Sequence, residues 1–170
     1  MTLIQTIILL GLFPAVMAFA AASDLFTMTI SNRLSLLLAG GFFVAAALIG
    51  MPLADVGSHV LAGVLVLSIT FGLFAFGWIG GGDAKLAAAT SLWLGFGYLF
   101  DYFFLASILG GGMALFLLGA RRFPLPVSFV GTRWIERLHS AKTGIPYGIA
   151  LAAAGLLVYP HTVFMRALVG

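Results

Sequence analysis

The chain is 170 residues long; 62% of them are hydrophobic and 8% are charged. Its mean hydropathy of +1.19 excludes a water-soluble domain and leaves no room for one beside membrane helices. The net charge of +3 comes without the dense, aromatic-interleaved basic patch that nucleic-acid binding needs, and a chain without cysteine has no disulfides, thiolate metal site or cysteine nucleophile.

A spanning helix needs about 20 apolar residues. The first apolar run, 3–22, ends in Ala20-Ala21-Ala22, which imitates a signal-peptidase site. No Lys or Arg precedes Arg33, so the basic n-region of a cleaved signal is missing and the segment reads as a retained span. Ser31-Asn32-Arg33 reads as the cap and interfacial anchor of a second span, 34–50, and a third follows at 59–78. As one helix, the stretch 84–119 would reach roughly 54 Å against a hydrocarbon core of about 30 Å. It therefore divides into 84–99 and 102–119, with Asp101 marking the turn, and a last span covers 144–164. The expected fold is all-α: a polytopic bundle of about six transmembrane helices forming a single membrane domain, 1–170.

Six spans give the basic residues a consistent side. Arg33, Lys85 and the group Arg121, Arg122, Arg133, Arg137 and Lys142 fall in loops on one face, whereas the loops around Asp55 and Asp101 carry no Lys or Arg. Positive loops face the cytoplasm, so both termini are expected outside it; Arg166 alone goes the other way. This parity puts Asp24, at the end of span 1, and Asp83, at the start of span 4, on the cytoplasmic face at similar depth. Asp55 and Asp101 fall on the opposite face.

Only five residues are acidic. An ionisable group near bilayer depth costs several kcal/mol by order of magnitude and marks a functional position by default. Two carboxylates brought together can divide general base and general acid between them. Each aspartate also has a plain structural reading. Asp83 follows Gly80-Gly81-Gly82 and opens a helix, as an N-cap does, and Lys85 could snorkel to the headgroups; Asp24 at a span terminus could be hydrated. The glycines permit a close backbone approach. Lys142-Thr143-Gly144-Ile145-Pro146-Tyr147-Gly148 opens the last span and, taken alone, reads as structural. His59, His139 and His161 do not cluster at metal-ligand spacing and read as interfacial or loop residues. Gly110, Gly111 and Gly112 would allow close helix packing, and Phe42, Phe43, Phe103 and Phe104 read as packing or lipid-facing residues.

Three segments taken together resemble the type IV prepilin peptidases, Gly-x-Gly-Asp intramembrane aspartyl proteases. They are Asp24 with Ile30-Ser31-Asn32-Arg33-Leu34, then Gly80-Gly81-Gly82-Asp83-Ala84-Lys85-Leu86, then Ile145-Pro146-Tyr147-Gly148-Ile149-Ala150. The resemblance covers most of the chain and looks closest to the short members that serve Flp-type (tight adherence) pilus systems. It implies that Asp24 and Asp83 form a catalytic pair at the cytoplasmic face of a bacterial inner membrane. Gly80, Gly82, Lys85, Asn32, Pro146, Tyr147 and Gly148 would support the motifs.

The resemblance further implies a prepilin or pseudopilin substrate, a basic leader ahead of an apolar helix lying in the lipid bilayer. It implies no metal or organic cofactor and no nucleic-acid partner. Two departures stand out. Ser31 replaces the proline often found there, and the chain has neither the cysteines nor the loop of the zinc module that larger, N-methylating members carry between spans 1 and 2. Peptidase activity without methylation is therefore the expectation. The other readings are a non-catalytic scaffold and a small proton- or cation-coupled transporter using the same aspartates. A signal-peptide-peptidase-like enzyme is a further one, although its Tyr-Asp motif is absent around Asp24.

Overall fold

The structure, a computed structural model, describes residues 3–169. Met1, Thr2 and Gly170, which the single-domain and termini expectations include, lie outside the described residues. The chain is an integral membrane protein, an all-helical bundle. Its helices are α1 (Leu3–Thr27), α2 (Asn32–Leu48), α3 (Leu53–Ala75), α4 (Gly81–Leu94), α5 (Leu99–Ala120), α6 (Arg133–His139), α7 (Tyr147–Val158) and α8 (Val163–Val169). Three helical stretches, Gln5–Thr27, Leu53–Ala75 and Phe96–Ala120, are long and apolar enough to cross a membrane; α2 and α7 are apolar but shorter.

The expected spans map onto α1 to α5 and α7 with shifted ends. The turn between the fourth and fifth is not at Asp101, which lies in the first turn of α5. It is at Gly95, where φ is +65°, followed by a 3₁₀ turn over Phe96–Tyr98. Left-handed backbone favours glycine. A Cβ here would also lie 2.8 Å from Cε1 of His59. A charge marks where a chain can meet water, whereas a glycine marks where it can turn. The last span stops at Val158 and continues through a 3₁₀ turn, Tyr159–His161, into α8.

α4 is the central helix: from Leu86 to Leu94 every residue is buried. α3 and α2 pack against it on two sides and α7 on a third, while α1 packs on α2 and α7, and α5 on α7. Small residues allow this closeness. A Cβ at Gly63 of α3 would be 3.3 Å from Cβ of Leu92, and one at Gly155 of α7 would be 3.2 Å from Cγ2 of Thr90. Gly110 likewise lets α5 approach the ring of Tyr147, but Gly111 and Gly112 have open space around them.

One end of the bundle is closed by aromatic packing. Phe13 stacks on Tyr159 with ring centroids 4.3 Å apart, and Trp93 sits 5.0 Å from Phe164. The polar tips are matched: Trp93 Nε1 donates to Leu38 O at 2.8 Å and Tyr159 Oη to Leu9 O at 2.7 Å. His59 belongs to this packing rather than to an interface. Its Nδ1 lies 2.8 Å from Leu92 O and its ring stacks on Phe42.

The opposite end gathers the basic residues. Lys85 Nζ donates to Asn32 Oδ1 at 2.8 Å, and Arg137 Nη1 donates to Phe26 O at 3.0 Å. Asp55 and Asp101 stay at the aromatic end, each in a depression that Arg166 shares.

Candidate functional site

Asp24 occupies the last turn of α1 and is only 5% exposed. The turn beyond it is stitched by hydroxyls: Thr27 Oγ1 donates to Ser23 O at 2.6 Å and Ser23 Oγ to Thr29 O at 2.8 Å. Met28, with φ of +55°, ends the helix by donating its N–H to Asp24 O at 2.8 Å. The Asp24 side chain is held by the start of α7. Gly148 N donates to Asp24 Oδ2 at 2.7 Å, while the Ile149 N–H turns to Pro146 O at 3.3 Å. First-turn amides have no partner within their own helix, and the helix dipole favours an anion there. Asp24 thus caps a helix more than 120 residues later in the chain. Pro146, buried as the N-cap of α7, fixes the backbone at this helix start, which presents the Gly148 amide to the carboxylate.

Glycine at 148 is required by space. A Cβ there would fall 2.8 Å from Asp24 Oδ2 and 2.5 Å from Ile30 Cδ1. Ile30 also crowds the other motif, since a Cβ at Gly82 would be 3.1 Å from Ile30 Cβ. One isoleucine therefore wedges the α1–α2 turn between the starts of α4 and α7.

Asp83 is the third residue of α4, whose N-cap is Gly80 and not Asp83 itself. Its carboxylate reaches back towards the backbone of Gly80, the placement of the reach-back half of a capping box. A Cβ at Gly80 would lie 3.0 Å from Asp83 Oδ2. Deeper in the bundle α1 and α4 touch through Thr90 Oγ1 against Met17 Sδ (3.9 Å) and, at the aromatic end, through Phe13 against Trp93 (5.4 Å).

Both carboxylates line one cavity of about 1030 Å³. Its apolar wall descends along Leu73 of α3, Ala87 of α4, Phe103 of α5 and Leu151 of α7. Gly80 and Tyr147 also line it, with Pro146, Gly148 and Gly82 packed behind. Asn32 and Lys85 do not join the cavity. They bond to each other on another face of α4 and tie its first turn to that of α2.

Two residues read from the sequence only as topology markers reach the site. Arg121 and Arg137 line the cavity, and their donors go to main-chain carbonyls. Arg121 Nε bonds Leu138 O at 2.8 Å and its Nη2 bonds Gly144 O at 3.0 Å, while Arg137 bonds Phe26 O. Thr143 Oγ1 closes the same loop by donating to Arg137 O. The short helix α6 is thereby fastened over the end of α1, with Trp134 edge-on to Phe26 at 5.5 Å. Nothing in local spacing marks these partners, because each is set by tertiary contact.

A cavity holding two carboxyls, each set against the start of a helix, has the equipment to take a proton from water at one and give one to a departing group at the other. Among the described residues no group of three or more His, Asp or Glu converges.

The chain matches the type IV leader peptidase family over residues 11–115, more than half its length, and belongs to that family. The match includes Asp24 and Asp83 and stops short of the Pro146-Tyr147-Gly148 segment. No curated protein and no solved structure matches the chain significantly.

Proposed function

We propose that this member of the type IV leader peptidase family removes the basic leader from Flp-like type IV prepilins, with Asp24 and Asp83 as the catalytic pair. The observation that carries this reading is the shared cavity: two acids 59 positions apart in the chain line one space at one end of a membrane bundle. The same end carries Arg33, Lys85, Arg121 and Arg137, which under the positive-inside rule is the cytoplasmic end. The scissile bond of a prepilin lies at that face, where its apolar helix leaves the membrane.

In this mechanism one carboxylate takes a proton from water, and the resulting hydroxide attacks the scissile carbonyl. The other carboxyl, protonated, hydrogen-bonds the carbonyl oxygen as charge develops on it. The C–N bond then breaks as a proton passes from the pair to the departing amine. Roles belong to the pair, since two close carboxyls titrate together. The Gly148 amide fixes Asp24, and the start of α4 holds Asp83 against Gly80, so little reorganisation accompanies the step. N-methylation of the product is not part of this activity.

The test is co-expression of wild type, Asp24→Asn and Asp83→Asn with Flp-like prepilins, cleavage being read by gel shift after each variant is shown to reach the membrane. Each substitution is expected to lower cleavage by about 10²- to 10⁴-fold, the usual contribution of a positioned acid or base. Undiminished cleavage by either variant would remove that aspartate from the mechanism.

A further inference from the structure

A second concavity lies on the membrane-facing side of the bundle, away from the aspartates. α2 and α3 are consecutive in the chain, yet each packs on α4 rather than on the other. They leave a groove of about 480 Å³. Its floor is Ala88 and Ala89 of α4 with Gly63 of α3, and Leu36 and Phe43 of α2 and Val64 of α3 form its rims. Between Asn32 and Phe43 it runs about 16 Å along α2 at the usual helical rise.

The groove changes character with depth. Lys85 and Asn32 stand at one end. Lys85 is exposed, bonds only the neutral Asn32 Oδ1 and has no acidic partner among the described residues. One turn further in is Ser35, whose Oγ is buried and unpartnered. Buried hydroxyls nearly always have a partner. Everything beyond Ser35 is apolar. An unpaired cation, then an unmatched hydroxyl donor a turn deeper, then an apolar slot open to the bilayer reproduces the order of phosphate, ester and acyl chain in a phospholipid.

We propose that this groove binds one anionic phospholipid, with its phosphate on Lys85, an ester oxygen accepting from Ser35 and one acyl chain lying between α2 and α3. A lipid seated there braces α2 against α4 at the turn that carries Asp83. The proposal does not depend on the peptidase reading, because no step of proteolysis enters it.

Native mass spectrometry of the full chain in detergent micelles, titrated with dioleoylphosphatidylglycerol or dioleoylphosphatidylcholine, tests it. The wild type is expected to retain one phosphatidylglycerol about fivefold more strongly than phosphatidylcholine, the effect of about one basic side chain at an anionic headgroup. Lys85→Gln should abolish that preference and Lys85→Arg should keep it. Val64→Trp, at an exposed rim position, should weaken both lipids by filling the slot, and Lys142→Gln should change nothing. Equal retention of the two lipids by the wild type, or an undiminished preference in Lys85→Gln, would overturn the proposal. So would a dimer that replaces the lipid-bound monomer, which would assign the groove to a second copy.

Discussion

The two ends of this bundle solve opposite problems. At one end Phe13, Phe42, Trp93, Tyr159 and Phe164 fill the space between helices, and the Trp93 and Tyr159 polar tips find main-chain carbonyls. At the other, roughly 16 Å along α1 from Phe13 by helical rise, the chain keeps a cavity of about 1030 Å³ with two carboxyls on its wall. In place of large side chains it uses glycines, turns and main-chain hydrogen bonds. The contrast shows how a small membrane protein can hold acids in an open space. The aromatic end locks α1, α4 and α7 together, so the polar end need not be filled to stay in shape. A tightly packed interior tolerates little change in volume, whereas a preorganised site tolerates little change in position.

Substitutions at the two ends should therefore separate stability from activity. The largest effect belongs to the acids. The double variant Asp24→Asn with Asp83→Asn should lose about as much cleavage as either single variant, because residues that act as a unit are not additive. Its thermal unfolding in detergent should stay close to that of the wild type. Trp93→Ala should do the reverse and destabilise the fold by about 3–5 kcal/mol through the cavity it leaves, seen as a fall in Tm, while the folded fraction still cleaves.

Gly148→Ala sits where the two ends' rules meet. Its Cβ would press on Asp24 Oδ2 and Ile30. Cleavage should fall at least about tenfold alongside an overpacking cost of about 1–3 kcal/mol. Gly112→Ala, with open space around it, should leave both unchanged. A smaller effect than that of Gly148→Ala belongs to Tyr159→Phe, which removes the bond to Leu9 O and should cost about 0.6–1 kcal/mol by the same unfolding measurement.

Much of this contrast is legible in the sequence, and what is not has a physical reason. Hydropathy locates the helices because lipid demands length and apolarity. The parity of the basic residues brings Asp24 and Asp83 to one end and leaves Asp55 and Asp101 at the other. Ser31 caps α2 as its residue type suggests, accepting from Arg33 N at 3.3 Å. The role of the Pro146-Tyr147-Gly148 segment is hidden, since a helix start looks the same whether its amides meet water or a distant carboxylate. The short helix α6 is hidden too. At seven residues it is far too short to form alone, and it holds through Arg137, Trp134 and Glu136, the last accepting from Gly131 N at 2.7 Å. His59 misleads for a related reason: a polar ring near a span end suggests an interface, and only the tertiary approach of Leu92 O and Gly95 makes it a packing residue.

The central claim is that Asp24 and Asp83 share one space in the membrane-embedded protein. The chain's lack of cysteine makes this directly measurable. Asp24→Cys with Asp83→Cys, treated in native membranes with a short bifunctional thiol reagent, should give an intramolecular cross-link, detected as a mobility shift in the intact chain and as joined fragments after a protease cut between the two sites. Asp24→Cys with Asp101→Cys should give none. Equal cross-linking of the two pairs, or none in the first while both of its thiols react singly, would contradict the shared cavity and with it the pairing of the two acids.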